Sequence, residues 1–326
     1  MKKYLSMLCM AGALPLMLTL GAPSAFAREF RDADVQPADY PTVAAVNYMS
    51  DLLKQGSKGK YSIKVYPNSQ LGSEPDTVEQ VKLGAIEFTR THASVLNAIC
   101  PETMLPSLPF VFRDKEHMRH VLDGPIGDEI LRACESHGLV GLAFYDSGAR
   151  FFYTKKQIKN LADLKGMKIR VPQSELSVAM LQALHANATP MATSEVYTGI
   201  KSGIVDGAEN NWPTYQTAHH FEIAPYVLLD EHDMTPEILL MSKVIFDKLS
   251  ADDQKMIRQA AKASVPYMRK LWDEKEISSR AIVEKAGVHI TAANKAEFQA
   301  SMAPVYAKFV TTPAMKDMLK RMQETK

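Results

Sequence analysis

The residues best equipped for chemistry in this 326-residue chain are Arg150 and Arg170, followed downstream by Asn210-Asn211-Trp212. Together they offer cationic forks, amides and an aromatic wall, the groups that grip a small anion. A guanidinium presents a planar set of donors that matches a carboxylate bidentately, and it stays charged at any relevant pH. Arg170 lies in a short strand pattern over 167–171, whose end also delivers Gln173 to a loop, and ligands of open α/β sheets bind beyond the carboxyl ends of strands. An arginine ending a strand on the surface is the plainer alternative. Arg150 follows Gly148, which permits a tight backbone approach; it either meets a second group of ligand oxygens or salt-bridges an acid of the protein. An amide both donates and accepts, so Asn210 suits an anion carrying carboxylate and hydroxyl together. Upstream, Glu74 in Gly72-Ser73-Glu74 either accepts hydroxyl protons or opens a helix whose dipole favours an acid. Arg90 and His92, at the end of Phe88-Thr89-Arg90-Thr91-His92, would add a third cation and an imidazole.

The elements that must position these groups alternate between strand and helix, which predicts an α/β architecture. The alternation over 61–66 ends at Pro67-Asn68, a strand and turn, and follows a helix over 41–53. A second helix over 77–83 closes at Gly84, suited to a left-handed cap. The continuous apolar run 139–145 is that of a buried parallel strand. From Ala251 to about Ala286, Met256, Ile257, Ala260, Ala261, Val265, Met268, Leu271 and Trp272 recur at helical spacing after a Ser250-led cap. Pro266 lies inside that pattern and predicts a bend or a break.

The runs YDSGARFFYTKKQIKNLADLKGMKIRVP and TPMATSEVYTGIKSGIVDGAENNWPTYQ resemble the signature region of the solute-binding proteins of tripartite ATP-independent periplasmic (TRAP) transporters. The resemblance extends from about Arg28 to the C-terminus. It implies two α/β lobes that exchange chain segments, with a hinge, an interlobe ligand cleft and one long helix along both lobes. On that pattern the first lobe holds 28–147 and 236–275, and the second 148–235 and 276–326. It also implies that Arg170 pairs with the substrate carboxylate and that Asn210 contacts substrate. Where many members carry an aromatic residue, Thr193 leaves room and a hydroxyl. The combination of Gly-Ser-Glu, Phe-Thr-Arg and Gly-Ala-Glu-Asn-Asn resembles the branch that binds hexuronates, D-glucuronate and D-galacturonate; small hydroxy, keto or dicarboxylic acids are the alternative within the family. The resemblance further implies a monomer without cofactor, which closes on its anion and hands it to a membrane permease driven by a sodium gradient.

Lys2-Lys3, an apolar run over 5–20 and Ala25-Phe26-Ala27 form the pattern of a secretory signal peptide cleaved after Ala27, which predicts a periplasmic protein. Beyond the signal stand Cys100 and Cys134, which in an oxidising compartment form a disulfide or pack as two small apolar groups. Lys and Arg number 38 against 37 Asp and Glu, so no basic stripe marks a nucleic-acid partner, and an anion must be held by local charge. No Cys/His spacing supports zinc and no phosphate-cradling loop appears. The rival class is a secreted hydrolase or lyase acting on uronate polymers. It would draft Asp146, Glu209 and Glu222 as acid and base, or His219, His220 and His232 as metal ligands.

Overall fold

The structure, a computed structural model, describes residues 27–326; the signal-peptide reading falls on residues 1–27, nearly all of them outside the described part. Two mixed sheets organise it. The first contains β1 (Arg28–Ala33), β2 (Tyr61–Tyr66), β3 (Phe88–His92), β4 (Leu139–Tyr145) and β10 (Glu237–Ser242), in the order β2-β1-β3-β10-β4. The second contains β5 (Arg150–Thr154), β6 (Lys168–Val171), β7 (Asn187–Pro190), β8 (Gly207–Asn210), β9 (Tyr226–Asp233) and β11 (His289–Ala292), in the order β11-β9-β5-β8-β6-β7. The chain therefore crosses from the first sheet to the second between β4 and β5 and returns between β9 and β10. A third crossing follows, so that β11 closes the second sheet. This is the two-lobed, segment-exchanging α/β architecture that the resemblance implied.

Strand direction decides which ends meet. β10 runs antiparallel to β3 and β4, and β5 runs antiparallel to β8 and β9. The first residues of β10 and β5 consequently lie level with the last residues of β3 and β8. Glu237 pairs with His92, and Phe151, next to Arg150, pairs with Asn210. One edge of each sheet thus gathers polar side chains at the crossovers, while apolar faces remain for the core.

The third crossing is one helix, Ala251–Lys285, of 35 residues and about 52 Å at 1.5 Å per residue. Ser250 caps it, accepting from the Asp253 N–H at 3.2 Å. Its early turns bury Ile257, Ala261, Met268 and Trp272 with Val46, Met49 and Leu53 of helix Pro41–Gly56 against the first sheet. Val283 near its end joins Phe151, Tyr153 and Val227 of the second lobe. Each large apolar side chain so buried contributes roughly 1.5–3 kcal/mol, which holds the helix across both lobes. The break expected at Pro266 does not occur. Pro266 lies on the exposed face beside an exposed Lys262, so water reaches the Lys262 carbonyl that the missing N–H leaves unbonded.

Cys100 and Cys134, both fully buried, are joined in a disulfide across a Cα separation of 5.2 Å. The last helix, Pro313–Glu324, packs back on the first lobe, against residues 101–107 and helix Pro125–Ala133. There Arg113 donates to the carbonyls of Gln323 and Thr325, at 3.0 and 2.7 Å, and Arg321 pairs with Glu129 at 3.0 Å.

Candidate functional site

Glu74, Arg90, His92, Arg150, Arg170, Thr193 and Asn210, from both lobes, line one narrow interlobe cavity. Gln173 is exposed and stands outside that lining. Gln36, Asn211, Thr214 and Glu237 complete the polar walls. His92 and Asn210 end β3 and β8, Arg170 comes from the penultimate position of β6, and the reversed strands β5 and β10 begin with Arg150 and Glu237. Glu74 is the first residue of helix Glu74–Lys82, behind a Ser73–Asp76 capping box. Glu74 is thus a helix start that also forms cavity wall, where it accepts from Arg90 Nη1 at 3.2 Å and from the His92 N–H at 3.0 Å.

The three arginines differ in how they are paired. Arg90, fully buried, donates from Nε to Asp34 at 3.0 Å, from Nη2 to Asp34 as well, and from Nη1 to Glu237 at 2.8 Å and Glu74 at 3.2 Å. Arg150 donates to both Glu209 carboxylate oxygens at 2.5 and 2.9 Å and to Asn210 Oδ1 at 3.1 Å. Arg170 is only 3% exposed, yet it makes no salt bridge among the described residues. Its Nε and Nη2 donate to the Met191 carbonyl at 3.0 and 2.7 Å, and Nη2 reaches Thr193 Oγ1 at 3.5 Å. That orients the fork and leaves the Nη1 end without an acceptor among the described residues. Burial lowers the Arg170 pKa from its usual value, the direction expected of a desolvated cation. A carboxylate arriving end-on would relieve that cost.

Behind Arg150 runs a chain of charges that sequence reasoning did not assemble. Glu209 lies 3.4 Å from His232 Nε2, and His232 Nδ1 lies 2.9 Å from Asp230. Burial opposes the charge on His232, but Asp230 and Glu209 hold its pKa up to about 10. Its ring stacks on Phe152 with centroids 4.6 Å apart. Burial likewise works against the Glu209 carboxylate, and Arg150 with His232 nevertheless keeps its pKa far below the usual range. His92 goes the other way: burial, then Arg150, holds it neutral, well below the usual histidine pKa. Its Nδ1 is 2.7 Å from Ser94 Oγ, and Nε2 is buried without a protein partner. Burial raises Glu74 from the usual carboxylate value, against the pull of Arg90.

Glu237 and Asp34 were missed, and His232 was read only as a candidate metal ligand, because their roles lie in pairing rather than in motif. One signal was available: Glu237 opens the otherwise apolar strand Glu237–Ser242. Glu209 had been seen, but as a candidate catalytic acid. The acids drafted for hydrolysis are separately committed. Asp146 accepts from Arg119 at 2.6 Å and Arg269 at 3.2 Å, Glu209 from Arg150, and Glu222 sits exposed beside His219. His220 is bonded to Tyr153, so the histidines do not converge. A wider groove of about 320 Å³ behind the crossovers holds Lys115 and Arg280, but Lys115 pairs with Asp273 and Glu276, and Arg280 with Glu284. The uncompensated buried cation is in the inner cavity.

Bonds between the lobes hold this cavity shut. Tyr40 Oη lies 2.9 Å from Thr214 Oγ1, and Asn211 Nδ2 donates to the Ser147 carbonyl at 2.7 Å. Two α/β lobes exchanging segments around a buried, uncompensated arginine define the class of two-lobed solute receptors. Within it, the chain matches DctP, bacterial extracellular solute-binding protein family 7, over residues 33–312 and belongs to that family of TRAP solute-binding proteins. It is 60% identical to a TRAP periplasmic solute binding protein from Xanthobacter autotrophicus Py2 solved with bound β-D-galacturonate, with a TM-score of 0.90 over 91% of this chain and 100% of that one. A TRAP periplasmic solute binding protein from Citrobacter koseri, 38% identical, compares in two states. With bound D-glucuronate it gives a TM-score of 0.89 over 92% of this chain and 100% of that one. Its apo, open structure gives 0.79 over 90% and 97%. The lobes here therefore stand nearer the liganded arrangement. The family is periplasmic, these relatives are binding proteins, and no described helix is long and apolar enough to cross a membrane.

Proposed function

We propose that the protein captures a hexuronate, D-galacturonate or D-glucuronate, between its lobes and delivers it to a TRAP membrane permease. Arg170 carries this reading: a buried arginine, oriented by Met191 and unpaired by any described carboxylate, opens into a cavity of both lobes. The ligand carboxylate takes the free end of that fork. Hydroxyls meet Asn210 Nδ2, His92 Nε2 and the Glu74 carboxyl group, while Arg150 is held by Glu209 as a wall. The ligands bound by relatives of 60% and 38% identity support the choice of a sugar acid.

The units that close are 28–147 with 236–275 and 148–235 with 276–312. The terminal helix Pro313–Glu324 rides on the first. Export with cleavage after Ala27 and a monomeric state complete the proposal. A thermal-shift screen tests it, since a ligand that binds only the folded form raises the melting temperature. Galacturonate or glucuronate should stabilise the protein and glucose should not. A shift confined to small keto or dicarboxylic acids would defeat the uronate assignment.

A further inference from the structure

We propose that the cavity accepts one carboxylate and rejects two, so that it selects uronates against the corresponding aldarates, with Glu237 and Glu74 as the excluding residues. The inference rests on the uronate reading and adds a charge rule to it. The second-lobe wall supplies a single uncompensated cation, Arg170, because Arg150 is already neutralised by Glu209 at 2.5 Å. The first-lobe wall supplies none. Its one cation, Arg90, faces Asp34, Glu237 and Glu74 together, with Glu237 at 2.8 Å and Glu74 at 3.2 Å. Even with a proton on Glu74, two carboxylates surround one guanidinium, and this wall is left negative.

A six-carbon acid held at Arg170 in a narrow cavity lined by both lobes must bring its other end against residues of the first lobe. In a hexuronate that end is a ring carbon bearing hydroxyls, which donate to Glu74 and Glu237 oxygens. In an aldarate it is a second carboxylate, which cannot donate and meets like charge in a dry site, where repulsion is only weakly screened. His92 does not rescue it, because burial keeps the imidazole neutral. Asn210 and Gln36 offer amide donors but no charge.

Titration calorimetry at neutral pH with galacturonate, galactarate and galactonate tests the rule. Galactonate is the control for shape, being open-chain like galactarate but carrying one carboxylate. Galactarate should bind at least a hundredfold more weakly than galacturonate, and galactonate should bind more tightly than galactarate. Glu237→Gln should narrow the galacturonate-to-galactarate gap at least tenfold, and Glu74→Gln serves as the second variant, each checked for a cooperative melt. Galactarate within threefold of galacturonate overturns the proposal and leaves the uronate reading intact. So does a gap unchanged in the folded variants, or galactonate rejected as strongly as galactarate. Failure of galacturonate and glucuronate alike to bind the unaltered protein defeats the reading on which the rule stands.

Discussion

Arg170 and His232 are both buried cations, and opposite environments give them opposite uses. Arg170 lacks a resident counter-charge, and on the proposed reading a ligand carboxylate supplies it through two charge-assisted bonds, each contributing about 1.5–3 kcal/mol. Arg170→Ala is therefore expected to weaken galacturonate binding on the order of a hundredfold to a thousandfold by calorimetry. Arg170→Lys should recover little, because an ammonium cannot reproduce the fork that Met191 orients. His232 is instead flanked by the carboxylates of Asp230 and Glu209, and its pKa rises from 6.5 to about 10 on folding. A raised folded pKa means the folded state holds the proton more tightly. The resulting stability is complete below about pH 6.5 and is lost as pH climbs through 10. Urea midpoints measured from pH 6 to 10 should show a decline that His232→Gln flattens.

At the scale of elements, the periodic signals were legible and the interruptions were not. The strands over 61–66 and 139–145 lie where alternation and an apolar run placed them. Leu139–Tyr145 is not, however, the parallel strand its apolar run suggested: it pairs antiparallel with Glu237–Ser242, and burial on both faces makes its sequence apolar whichever way its neighbour runs. The helix expected over 77–83 starts earlier, at Glu74, because the Ser73–Asp76 capping box sets its first turn. Pro266 does not break the long helix because its cost depends on which face it occupies, and that face is exposed. The disulfide belongs to this scale as well. Cys100 and Cys134 lie 34 residues apart in sequence and tie the segment after β3 to the turn before β4. Closing a loop of that length restricts the unfolded chain by about 3–4 kcal/mol in the chain-entropy account. Reduction should lower the denaturation midpoint, read by the same urea melt with and without dithiothreitol, and should leave uronate affinity in the folded protein nearly unchanged.

For the whole molecule, the question is what a ligand must do to keep two lobes together. A ligand shifts open and closed forms only by the difference in its affinity for them. Bonds between the lobes that need no ligand, such as Tyr40 Oη to Thr214 Oγ1, bias the same equilibrium from within. Tyr40→Phe removes that bond at a cost of about 1 kcal/mol. It should weaken uronate binding severalfold, and small-angle scattering should show a larger radius of gyration for the unliganded variant. An unchanged radius and affinity would assign the Tyr40 hydroxyl to packing alone.

The sequence by itself determined the alternation of elements, the family, the strand that carries Arg170 and most residues of the cavity wall. Those depend on local period, on turns and on motif. Only the tertiary structure decided which arginine is free. Asp34 reaches Arg90 across 56 positions of chain, Glu237 reaches it across 147, and Glu209 reaches Arg150 across 59. No local pattern encodes these pairings. They follow from two reversed strands that bring β5 and β10 starts beside β8 and β3 ends, and from burial that makes each neutralised charge count. The same geometry passes Arg170 by and leaves it with backbone and hydroxyl partners but no carboxylate among the described residues.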